Sequence, residues 1–274
     1  LFFLFFELEL AALDADTGEI GWRIPLPSSA HGLAMDEANG IIYATLPERG
    51  ELAIVEAHGD APPSYLSGLG RPTGVIAVAG RIYVADSNGW RVLVLDRQDR
   101  DIMRVCALSA APYALAHDPV RGRLYVGLMG RGAILALDTK TMEPVGEVRL
   151  GGLGYPLDLA LDAQAGRLYV AHSLAPKYGA VSVVDVATMS HVAILRGRIE
   201  LPLSSADAVR LDRQRGLLWV GYAGGLAALD AHTLALRGLE RMARSPWGNA
   251  LALDAHRGAL YAADDQGQLW HGGP

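Results

Sequence analysis

Residues 155–196 read YPLDLALDAQAGRLYVAHSLAPKYGAVSVVDVATMSHVAILR and hold one complete structural unit. The run Leu159-Ala160-Leu161 is a short strand of small and aliphatic residues, narrow enough to crowd beside copies of itself. Asp162 lies four residues before Gly166, where a carboxylate accepts turn N–H groups and glycine takes positive φ, so a tight hairpin follows. Arg167-Leu168-Tyr169-Val170 then alternates as a strand packed on both faces should. A third strand ends at Asp185, and Thr188 three residues on predicts a second side-chain-bonded turn into an outer strand.

The same unit recurs along the chain. Gly-x-[Ile/Leu]-[Tyr/Trp] is found from Gly40 to Tyr43, Gly80 to Tyr83, Gly122 to Tyr125, Gly166 to Tyr169, Gly216 to Trp219 and Gly258 to Tyr261. The aromatics are 40, 42, 44, 50 and 42 residues apart. Self-similarity at that period in a strand-rich chain predicts a β-propeller in which each repeat is one four-stranded blade. Asp36, Asp118, Asp162, Asp212 and Asp254 recur in register and are therefore expected to serve turns, because an active site occurs once. Asp14, Asp96, Asp138, Asp185 and Asp230 close the third strands, followed by Thr17, Thr141, Thr188 and Thr233 in four of the five cases.

Arg71-Pro72-Thr73-Gly74, followed by Gly80-Arg81-Ile82-Tyr83-Val84-Ala85-Asp86-Ser87-Asn88, resembles an NHL repeat. Units with Leu-Tyr-Val and Asp-x-x-Thr, such as residues 155–200, resemble YVTN repeats more closely. The resemblance covers nearly the whole chain and implies a propeller, while its motifs belong to proteins of many functions. The expected organisation is one domain, 1–274, with blades near 31–70, 71–110, 111–154, 155–204, 205–245 and 246–274, the last completed by 1–30. That six-bladed closure leaves no open sheet edge. The alternative is seven blades with the first one truncated, since Leu8 to Leu13 and Gln268 to His271 both read as third strands.

With 51% apolar and 20% charged residues, the chain can bury a sizeable core. A net charge of −6 with scattered carboxylates and no Lys/Arg cluster offers nucleic acid no footprint. One cysteine, Cys106, excludes an internal disulfide and a Cys-x-x-Cys site. Leu1-Phe2-Phe3-Leu4-Phe5-Phe6 is too short to span a bilayer; it reads equally as the remnant of a signal or anchor segment and as a buried strand. The first reading favours an extracytoplasmic setting, whether secreted, periplasmic or cell-surface.

Propeller ligands gather where non-equivalent residues converge, at the channel mouth. Residues just before the inner strands include His31, Tyr113, Asp158, Asp207, Trp247 and Asn249. Beside them the stretch Ala171 to Ala180 carries His172, Lys177 and Tyr178 and reads as a long loop acting as a flap. His31 is the candidate base. Asp158, Asp207 and Asn249 are the candidate ligands of a divalent cation such as Ca, matching in part the Glu, Asn and Asp set implied by a resemblance to six-bladed lactonases, but with no Glu at an inner-strand start. Gly-x-Ser-x-Gly, His-Glu-x-x-His, a P-loop and Cys-x-x-Cys-His are all missing. The expected function is non-catalytic recognition or scaffolding, binding a protein, glycan or small ligand at the mouth without a cofactor. The alternatives are a cation-dependent lactonase or hydrolase, and a structural repeat domain assembling through strand donation.

Overall fold

The computed structural model describes residues 2–5, 8–14, 17, 19–59, 61–151, 154–174, 178–197, 203, 205–222, 224–242, 251–254, 259–263 and 269–272, with backbone alone at 2–5, 174, 178, 263 and 269–272. They form 26 strands, and no helix is found among them. Each sheet is an antiparallel meander in chain order, the arrangement that short hairpin turns impose on successive strands.

Two compact units divide the chain, Leu1–Leu115 and Ala116–Pro274. The first unit holds a three-stranded sheet of β1 (Phe2–Phe5), β2 (Glu9–Leu13) and β3 (Ile20–Pro25). Next come β4 (Leu33–Asp36), β5 (Ile41–Leu46), β6 (Glu51–Glu56) and β7 (Ser64–Leu66), then β8 (Pro72–Val78), β9 (Arg81–Asp86), β10 (Arg91–Asp96) and β11 (Ile102–Ala107). Strand β12 (Ala111–Asp118) carries the boundary and heads the sheet continued by β13 (Arg123–Met129), β14 (Ala133–Asp138) and β15 (Pro144–Arg149). The second unit continues with β16 (Tyr155–Asp162), β17 (Arg167–Leu174), β18 (Tyr178–Asp185) and β19 (Ser190–Arg196). It ends with β20 (Ala206–Asp212), β21 (Leu217–Tyr222), β22 (Gly225–Asp230) and β23 (Leu236–Arg241), and with a three-stranded sheet of β24 (Leu251–Asp254), β25 (Ala259–Ala263) and β26 (Leu269–Gly272).

Alternation of apolar side chains lets each sheet bury both faces against its neighbours. In the first unit Ile42, Ala44 and Val55 pack on Leu10 and Ile24, while Tyr43, Leu52 and Ile54 turn the other way onto Val75, Val84 and Leu93. In the second, Tyr169, Val181 and Val183 pack on Val209, Leu218 and Ala227. The six repeated aromatics fall on β5, β9, β13, β17, β21 and β25, the second strands of six different sheets, as the period predicts. Five tyrosines are buried; Trp219 is only half-buried. The fold is an all-β propeller.

Two expectations change. The sheet expected from 246–274 completed by 1–30 does not form among the described residues, where the N-terminal and C-terminal strands make separate sheets and the count is seven. Both β2 and β26 are third strands, so they compete for one slot; instead Phe2–Phe5 pairs with β2, Phe2 opposite Ala12, and supplies a second strand. The stretch Ala171 to Ala180 is not a long loop either. Strands β17 and β18 run on in register to Leu174 opposite Tyr178, so the connection shrinks to 175–177.

The recurring carboxylates do build turns. Asp118 accepts from the N–H of Val120 and of Arg121, at 3.0 and 3.1 Å, and from the Tyr125 hydroxyl at 3.2 Å. Asp162 accepts from Ala165 N–H at 3.0 Å and Asp212 from Arg215 N–H at 3.0 Å. At the second turn Asp138, Asp185 and Asp230 each take two backbone N–H groups and a threonine hydroxyl. The residues one past those threonines, Met142, Met189 and Leu234, have φ of 57°, 50° and 59° and tuck inward; Met142 and Leu234 are buried. Among the described residues no helix is long and apolar enough to cross a membrane.

Candidate functional site

A β-bulge recurs where the first strands begin. His31 N–H donates to Thr45 O and Thr45 N–H to Gly32 O, both at 2.9 Å, so two residues oppose one. The register skips in the same way between Pro72 and Val75, Pro156 and Asp158, and Ala206 and Ala208. Such bulges re-aim side chains. The leading bulge positions are His31, Thr73, Leu157 and Asp207, and the following ones are Gly32, Gly74, Asp158 and Ala208. Asp158 therefore occupies the glycine position, one residue out of step with His31 and Asp207. The offset is legible in the sequence, since Asp158 stands four residues before Asp162 whereas His31 and Asp207 stand five before Asp36 and Asp212.

The glycines of this row mark close approach between first strands. A Cβ on Gly32 would collide with the Thr73 carbonyl oxygen, and one on Gly74 with that of Tyr113. Thr45 Oγ1 donates to Thr73 O at 2.7 Å, Thr73 Oγ1 lies 3.1 Å from Tyr113 O, and Ser87 Oγ donates to Pro112 O at 2.5 Å. Hydroxyls of Thr45 on β5, Thr73 on β8 and Ser87 after β9 thus reach the beginnings of the neighbouring first strands β8 and β12. Across the small Thr73 slot, His31 Nε2 meets the Tyr113 hydroxyl at 2.5 Å, with the rings edge-to-face at 83° and centroids 4.8 Å apart. Both side chains are half-buried. The hydrogen bond fixes the orientation of the His31 ring.

In the second unit Asp158 does what the close glycines do in the first. Its carboxylate accepts from Val209 N–H at 2.9 Å and from the Arg210 guanidinium at 2.5 Å, bridging β16 to β20. The charge of that guanidinium already offsets the carboxylate's. Asp207 differs. Burial pushes its carboxyl above the usual carboxylate range, against a hydrogen bond from Ser205 Oγ, and Ser173 Oγ lies 3.5 Å from Ser205 Oγ. Among the described residues no group of three or more His, Cys, Asp or Glu side chains stands together as metal ligands. Trp247, Asn249 and Lys177 lie outside the described residues, as does the Tyr178 side chain.

His172 opposes Ala180 on the face of its sheet that also carries Val170 and Ser182, not in a flap. Its ring is 0% exposed, neither nitrogen has a hydrogen-bond partner, and the Ser182 hydroxyl on the same face has none either. Burial, reinforced by the like charge of His191, pulls its pKa down to about 3. The alternation Leu168, Val170, His172 was the signal for this inward placement.

The turn around Asp86, part of the NHL-like stretch, is likewise held by a carboxylate. This buried carboxylate accepts from Arg71 N–H at 2.8 Å, Gly70 N–H at 3.1 Å and Arg91 Nε at 2.8 Å. Burial works to raise its pKa, yet those donors hold it below the usual carboxylate range. They pin the β7–β8 connection to the β9–β10 turn.

The chain is similar to the solved structure of Kuenenia stuttgartiensis hydrazine synthase, with a TM-score of 0.85 and 13% identity over 97% of this chain and 90% of that one. At that identity the likeness shows the β-propeller fold alone. No protein-family model matches the chain, and no curated protein matches its sequence.

Proposed function

We propose that this propeller is a non-catalytic recognition module that takes a protein, glycan or small ligand at the strand-end rim where the first strands begin. One observation carries the reading. Residues that repeat from sheet to sheet are consumed by turns and core, whereas the leading bulge positions change from His31 to Thr73 in the first unit and from Leu157 to Asp207 in the second, with His31 and Asp207 half-buried and Thr73 buried. In the first unit that rim offers an aromatic pair, His31 and Tyr113, already held by each other and by the hydroxyl ties beneath. Preorganised aromatic and polar groups favour binding because little side-chain entropy remains to be lost.

A cation-dependent lactonase or hydrolase is the second reading, favoured by Asp207, whose raised carboxyl suits acid–base work. The Arg210 partner of Asp158 stands against a cation there. No resident cofactor is part of the leading reading, and an extracytoplasmic setting accords with it.

A thermal-shift panel of oligosaccharides, peptides and small metabolites tests the proposal. A ligand that raises the Tm of the wild type is expected to bind His31→Phe about tenfold more weakly, the loss of one hydrogen bond of roughly 1.5 kcal/mol. Tyr113→Phe is expected to follow it. A ligand that binds both variants as it binds the wild type places recognition elsewhere.

A further inference from the structure

The turns from second to third strand share one backbone position. In four sheets its carbonyl accepts the N–H that follows the fourth strand: Leu69 to Gly50, Leu108 to Trp90, Leu150 to Gly132 and Met242 to Gly224. Three of these residues are glycine. The φ angles of Gly50, Gly132 and Gly224 are 62°, 57° and 116°, in the region that glycine enters without cost. Trp90 adopts φ 48° at that position although a bulky side chain is disfavoured there, and its indole is 55% exposed. Neither burial nor turn geometry accounts for a tryptophan in this place. A strained residue with an outward aromatic face is the pattern of a ligand platform.

Its surroundings define the ligand. Gly70 packs against the backbone of Asn88 and Gly89, and the Asp86 bonds hold Arg71 there, so exposed Arg71 and Asn88 stand in the same turn cluster as Trp90. The Leu69 bond to Gly50 brings in a third group, in which Arg49 Nε lies 2.7 Å and Ser67 Oγ 3.1 Å from Glu51. An exposed apolar plate in one turn cluster with an exposed guanidinium and an exposed amide, those of Arg71 and Asn88, suits a pyranose ring, with its C–H face for the indole and hydroxyls around its edge.

We propose that Trp90 is the stacking platform of an oligosaccharide site at this rim, with Arg71 and Asn88 contacting ring hydroxyls. The inference rests on the recognition reading above and names its ligand class.

The test uses the full chain and three hexasaccharides, of β-1,4-linked glucose, β-1,4-linked N-acetylglucosamine and α-1,4-linked glucose, with affinity from calorimetry and stacking from tryptophan fluorescence. At least one is expected to bind. Trp90→Gly is expected to weaken it about tenfold or more while raising Tm, and Trp90→Phe to keep most of the affinity. Failure of all three sugars to bind overturns the inference, and so does a fall in Tm with Trp90→Gly, which would make the indole a packing residue. A sugar that binds Trp90→Gly unchanged but loses affinity for His31→Phe overturns the platform and leaves rim recognition standing. Unchanged affinity in both variants overturns both.

Discussion

Replacing His172 by leucine is expected to stabilise the protein, and to stabilise it most in acid. The neutral ring is fully buried with an N–H and a lone pair both unpartnered, each costing about 1–3 kcal/mol. Proton linkage adds to this. The folded-state pKa is about 3 against an ordinary 6.5, so the unfolded chain takes up a proton below pH 6.5 that the folded chain refuses. For a histidine with a depressed pKa, stability is fully present above pH 6.5 and drains away as pH falls from 6.5 towards 3. The drain is on the order of 3–5 kcal/mol across that window. Urea midpoints at pH 8, 6 and 4.5 check the expectation, with the wild-type deficit relative to His172→Leu widening at each step down. A deficit that stays constant with pH would mean that the ring is hydrated and ordinary.

The second large effect is expected at Tyr169. Its ring is 2% exposed between β17 and the β20–β23 sheet, and its hydroxyl donates to Ala231 O at 2.8 Å. Truncation to alanine opens a cavity where two sheets interlock and is expected to cost about 3–5 kcal/mol. Tyr169→Phe keeps the ring and loses only the bond, for about 0.5–1.5 kcal/mol. Equilibrium unfolding separates the two variants. Equal losses would place the energy in the hydrogen bond and not in the packing.

The propeller was legible because its signals are local and repeated. Gly166-Arg167-Leu168-Tyr169 states a hairpin and a two-faced strand within four residues, and Asp185 with Thr188 states a turn within the same span. What escaped depends on strand pairing. Asp158 shares the row of Gly32 and not that of His31; its spacing of four residues to Asp162, against five from His31 to Asp36, marks the offset, but what each row meets emerges only with the bulge in the pairing. The length of a loop is equally hidden, since residues 171–174 and 178–180 become strand only through their pairing with each other. The partnership of Phe2–Phe5 with β2 decides seven sheets over six, and that choice lies in which ends find each other. Trp90 was visible as a residue, but its meaning comes from the glycines at the same position in sister sheets.

Recognition without a resident cation is the central claim, and elemental analysis of the purified chain, with and without chelator, tests it most directly. The account predicts no stoichiometric divalent metal and a Tm that EDTA leaves unchanged, for the wild type and for Asp207→Asn alike. One equivalent of calcium, removed by EDTA with a fall in Tm and lost in Asp207→Asn, would contradict it and establish the cation-dependent reading in its place.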